Sequence, residues 1–124
     1  MRPRRVRCVL LLSSVLLAAS SSADIHYVAT NGFDNTPYAN WVDAATNIQA
    51  AVDAACAGDT VLLSNGLHRL PATVVVTNAV VLSGLDGPDE VIVDGRMACA
   101  CFNLSNCSCV LSELTVTNGA TESE

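Results

Sequence analysis

The sequence predicts an all-β fold: a parallel β-helix of about three coils, entered through one short capping helix. Three observations carry this. After Gly58, six runs rich in Val, Leu, Ile and Thr follow one another almost without pause: "TVLLSNG", "TVVVTN", "AVVLSG", "EVIVDG", "CFNLSN" and "CVLSELTVTNG". Each is closed by Asn, Gly or Asp, which tolerate turn geometry. The runs also repeat at long range, "VVLSG" (80–84) as "VLSEL" (110–114) and "VIVDG" (91–95) as the "VTNG" of 116–119. Such offsets suit one coil carrying three short strands. Finally, a single amphipathic helix stands immediately before the first run.

Taken in order, residues 1–23 read as a secretory leader. "MRPRR" with Arg7 is basic, "CVLLLSSVLLAA" is apolar, and Ser21 and Ala23 are the small residues of a cut before Asp24. The apolar run is shorter than the ~20 residues a spanning helix needs, so no membrane span is expected after cleavage. The destination is a secreted or cell-surface location. Residues 24–58 form the entry. "DIHYVAT" alternates as a first strand, "NGFDNTPYAN" is a loop, and Ile48, Ala51, Val52, Ala55 and Cys56 share one helical face over 47–56. Asp43 or Thr46 is placed to cap that helix, and Gly58 to end it. The helix covers the backbone edges and apolar core that a first coil leaves open. Residues 59–124 are the coils. Their turn asparagines, Asn65, Asn78, Asn106 and Asn118, are expected either to stack along the axis or to serve as ordinary turn residues.

Charge excludes one partner class. Residues 24–124 keep two arginines, no lysine and all twelve carboxylates, a net charge of −10. Such a surface repels phosphate backbones, so nucleic acid is not expected, and it repels a polyanionic polysaccharide unless a cation bridges the two. The leader points to an oxidising compartment. In "CACFNLSNCSC", Cys99, Cys101, Cys107 and Cys109 are candidates for one or two disulfides between the Cys-x-Cys pairs, or for buried cysteines in a core stack. The spacing is not the Cys-x2-Cys of zinc sites. His26 and His68 read as separate, exposed histidines.

With "YVATNG", Trp41, "NIQAAVDAACAGDTVLLSNGLH" and the coil-like "VIVDG" and "LTVTNG" in view, the chain resembles right-handed parallel β-helix proteins of the pectin-lyase-like superfamily over about residues 25–119. It departs in having Leu67-His68 where the family often has Tyr after the glycine. The resemblance implies an extracellular protein with a link to polysaccharide. It admits two functions: a structural or glycan-binding module without catalysis, or the N-terminal portion of a polysaccharide lyase or hydrolase. Fold cannot choose between them. Lyases of this group use Arg or Lys with carboxylate-held calcium, so the polar cluster Asp86, Asp89, Glu90, Asp94 and Arg96 is the candidate centre; otherwise it is a solvated acidic turn and no cofactor is expected. The reading further expects a chain that stops before its solenoid is closed, because "ATESE" is too short and polar to cap it. An open C-terminal edge predicts self-association and no catalysis by this chain alone.

Overall fold

The computed structural model describes residues 23–105 and 108–120. The leader, apart from Ala23, therefore lies outside the described residues, as do Asn106 and Cys107.

Among the described residues nine strands and one helix follow in order: β1 Ile25–Val28, α1 Ile48–Ala54, β2 Thr60–Leu63, β3 Gly66–Arg69, β4 Val74–Val76, β5 Val81–Gly84, β6 Val91–Asp94, β7 Phe102–Leu104, β8 Val110–Ser112 and β9 Thr115–Thr117. They form three sheets, ordered β1-β2-β5-β8, β3-β6-β9 and β4-β7. Every strand pairing in them is parallel. Parallel neighbours need a crossover. Between β1 and β2 the crossover is the entry loop and α1; from β2 onward it is a pass through the other two sheets, so the chain meets the three sheets in rotation.

The sequence repeats are the segments that pair. Val81, Leu82 and Ser83 lie beside Val110, Leu111 and Ser112, and Val93 lies beside Val116. Two strand boundaries differ from expectation. β3 was not anticipated, because only His68 of its four residues faces inward. "CVLSELTVTNG" is two strands, since Glu113 takes a left-handed φ of 58° between them.

Alternation places one residue in two inside. In the first sheet His26, Val61 and Leu82 share one register column, and Val28, Leu63 and Gly84 another. All but Gly84 are large, and these large residues are buried. Gly84 is small for a reason: a Cβ there would run into the Glu113 carbonyl oxygen and the Val91 side chain. The core thins towards the last strands, where the inward-column residues Leu104 and Val116 are exposed and Leu111 is half-buried.

The helix is shorter than expected and capped differently. Asn47, in extended conformation, accepts from the Gln49 N–H, while Asp43 and Thr46 belong to the preceding loop. Ile48, Ala51, Val52 and Ala54 are buried, and α1 packs on β1, β2 and β4. Gln49 adds a specific contact. Its Oε1 accepts from the Val75 N–H at 2.7 Å and its Nε2 donates to the Val75 carbonyl at 3.0 Å. One side-chain amide thus satisfies the backbone edge of β4 as a neighbouring strand would.

Three of the turn asparagines join successive passes of the chain: Asn65 donates to Asp86, Asn78 to the Ala55 carbonyl and Asn118 to Asp94.

Candidate functional site

The polar cluster suggested by the sequence does not converge. Asp86 is held by Asn65 at 2.8 Å, and Glu90 is built into the turn that enters β6, its carbonyl accepting from Gly66 N–H. Asp94 and Arg96 lie at the far end of β6, about 10 Å away for a four-residue strand. There the Arg96 and Asn118 donors both reach Asp94 Oδ1. The Arg96 backbone N–H, then Asn118, then the nearby Arg69 and Arg96 charges hold Asp94 below the ordinary carboxylate range. Arg96 directs its Nε to the Leu70 carbonyl, 3.2 Å away. Its φ is 58° and that of Met97 is 57°, so the residue is a turn element. Among the described residues no group of three or more His, Cys, Asp or Glu side chains is arranged to hold a metal ion.

For the Cys-x-Cys pairs the sequence left disulfides and buried cysteines both open; Cys99, Cys101 and Cys109 are thiols, and Cys56 is disulfide-bonded. Cys107 lies outside the described residues. Cys101 is buried, and its Sγ lies 3.5 Å from the Thr117 carbonyl. Burial, then the adjacent Cys99, pushes its thiol up from the ordinary value, which suits a packing residue.

Both histidines are buried, contrary to their reading as exposed residues. His68 Nε2 meets the Ser64 carbonyl at 2.8 Å. His26 is held at both nitrogens, with Nδ1 2.8 Å from the Pro37 carbonyl and Nε2 2.9 Å from Asp59 Oδ2. Asp59 also accepts from the Cys56 N–H at 2.9 Å and the Asp24 N–H at 3.0 Å. Burial works against ionisation of Asp59, but the Asp24 and Cys56 amides and His26 together outweigh it and lower its pKa. The pairing of residues 33 positions apart was not legible from spacing.

A concave surface with recognition chemistry lies elsewhere, on the entry loop. A groove of about 550 Å³ is lined by Ala29, Asn31, Phe33, Trp41, Ser64 and Leu85, with Val42 beside them. Phe33 is 71% exposed and Trp41 37%. Neither is left loose. Phe33 N–H donates to the Val42 carbonyl, Asp34 N–H to Ala44 and Asn35 N–H to Asp43, so residues 33–35 and 42–44 run side by side. Asp34, at φ 59°, accepts from the Thr46 N–H and hydroxyl at 2.7 and 2.8 Å. Asp43 accepts from Asn35 and Asn40. Gly32 lets the two segments close, since a Cβ there would overlap the Ala44 carbonyl. The Trp41 ring stands edge-on to Tyr27, centroids 4.6 Å apart. The result is an exposed aromatic surface carried on a hydrogen-bonded loop, with an amide and a hydroxyl residue on its margin. In the sequence, Trp41 enters through the family resemblance and is not singled out as part of a site. Comparison with known protein families, curated proteins and solved structures finds no match for this chain.

Proposed function

We propose that this chain is an exported right-handed parallel β-helix module of the pectin-lyase-like kind, without catalysis of its own, that binds neutral glycan in the groove beside its capping helix. The rotation of the chain through three parallel sheets under one helical cap supports the solenoid. The basic, apolar and small-residue segments of 1–23 support export. The observation that carries the glycan reading is the exposed Phe33–Trp41 pair on a hydrogen-bonded loop.

The chemistry matches a pyranose ring. Its axial C–H groups form an apolar face that lies against exposed aromatic rings, and its hydroxyls suit neutral donors and acceptors such as those of Asn31 and Ser64. Few polar groups on an apolar wall is the usual composition of a small-molecule site. The bracing of residues 32–46 reduces the ordering that binding would otherwise cost. A net charge of −10 on residues 24–124 directs the choice to uncharged sugars over polyuronides.

Trp41 is the sole tryptophan, so its fluorescence reports the site directly. Titration with a soluble neutral β-glucan is expected to shift Trp41 emission saturably, and polygalacturonate is not. Phe33→Ala weakens the shift at least tenfold while leaving the melting temperature within a few degrees. An unchanged emission across neutral glucans, mannans and xylans would overturn the reading.

A further inference from the structure

The backbone nitrogen at the expected cleavage point already sits on a buried carboxylate. Asp24 N–H donates to Asp59 Oδ1 at 3.0 Å, and the Asp24 carbonyl accepts from Thr60 N–H at 2.9 Å. Asp24 is therefore pinned on both sides, and its outer neighbour Ala23 is exposed. A cleft of about 420 Å³ opens there, lined by Ala23, Asp24, Ile25, His26, Tyr27 and Pro37, with Ala39 at its edge.

We infer that Asp59 is the docking site for the α-amino group released at Asp24 when the leader is removed. The inference rests on the export reading given above. A signal peptidase and one water hydrolyse the Ala23–Asp24 bond: the C–N bond breaks, the leader keeps the Ala23 carboxylate, and the Asp24 nitrogen takes up protons to become an ammonium. The Thr60 contact does not depend on residue 23, so that nitrogen stays beside Asp59. A neutral amide donor becomes a charged one, and such hydrogen bonds are shorter and stronger. Among the described residues the groups facing it are these. Asp59 presents Oδ1, the other carboxylate oxygen is engaged by His26 and the Cys56 N–H, the Asp24 carboxyl is on the same residue, and the Tyr27 phenol is the remaining titratable side chain of the cleft. Processing thereby adds a cation to the carboxylate that joins the first strand to the turn after the helix. The leader-bearing chain cannot make this ion pair.

The absence of lysine makes the test clean, because the α-amine is the single aliphatic amine of residues 24–124. The exported protein is weighed intact, then treated with an amine-acylating reagent near pH 8, close to the ordinary ~8 of an α-amine. Label on the N-terminal peptide is read by mass. A carboxylate partner holds the amine protonated, so folded protein is expected to label at least tenfold more slowly than the same protein unfolded in urea. A second protein carries one glycine inserted between Ala23 and Asp24, which leaves the Asp24 N–H as an amide on Asp59 and carries the amine away. It is expected to label at the unfolded rate. A mature start at Asp24 with fast labelling, or equally slow labelling in the glycine-inserted protein, would overturn the docking site and leave export standing. A start at any other residue would overturn the cleavage reading and the docking site together.

Discussion

His26 bridges a carbonyl and a carboxylate, with Nδ1 against the Pro37 oxygen and Nε2 against Asp59. Removing one member of such a buried pair leaves the other without compensation. His26→Ala is therefore expected to lower the unfolding free energy by roughly 3 kcal/mol or more, read by urea titration. Asp59 adds a pH signature of definite sign. Its folded pKa is depressed below the ordinary 3.8, so its contribution is full above 3.8 and is lost as pH falls through the lower folded value. The melting temperatures of the native chain and Asp59→Asn should differ near pH 6 and converge as pH drops below that point; a gap that stays constant with pH would count against the assignment. Gly84 is a steric counterpart to this electrostatic site. With Glu113 and Val91 already in contact distance of an added methyl, Gly84→Ala should cost about 2–3 kcal/mol, the range of overpacking in a closed core.

At the scale of elements, the sequence spoke most clearly where side chains follow a period. β2, β5 and β6 have alternating buried residues and turn closers, and the repeats "VLS" and "VIVD" against "LTVT" fell in true register. β3 was hidden because Gly66 and Arg69 dilute its pattern and a lone buried histidine carries its inward face. The aromatic wall was equally hidden. It depends on a hydrogen-bonded pairing of 33–35 with 42–44, which has no periodic signature, and the His26–Asp59 contact joins two elements distant in the chain. The capping helix was legible as an apolar face, but its main polar contribution was not. Gln49 reads as an ordinary exposed helix residue until Val75 is found against it. Its amide replaces the strand that β4 lacks on that side, so Gln49→Ala leaves a backbone N–H and C=O to water. A cost of about 1–2 kcal/mol is expected, with faster hydrogen exchange at the Val75 amide. Asn47→Ala, which removes the cap of α1, should cost about 1 kcal/mol without changing that exchange. The pair of variants separates helix stability from edge capping.

Over the whole molecule, the two ends of the stacked sheets differ in how their edges are managed. At the entry, β1 extends the first sheet, Gln49 closes the edge of β4, and the core beneath is buried. At the other end, β7, β8 and β9 have no strand on their outer side among the described residues. Leu104, Val110 and Val116, which these strands carry, are exposed. An unpaired strand with apolar neighbours is a template for another chain. Opposing this is charge: two chains of residues 24–124, each at −10, repel one another. The balance is adjustable, because salt shortens the range of that repulsion from ~30 Å at 0.01 M to ~8 Å at 0.15 M, while backbone pairing and apolar burial are little affected. Residues 24–124 are therefore expected to associate reversibly, weakly at low ionic strength and more strongly as salt rises, when followed by sedimentation velocity. Val110→Lys and Val116→Lys place a charge on two of the three outer strands, β8 and β9, the device by which natural edge strands resist pairing. Association driven by this end should be suppressed in the double variant at every salt concentration. Trp41→Ala, at the opposite end, should leave it unchanged. If the double variant associates like the native chain, or if the native chain remains monomeric in 0.5 M salt, the contact surface is not this edge.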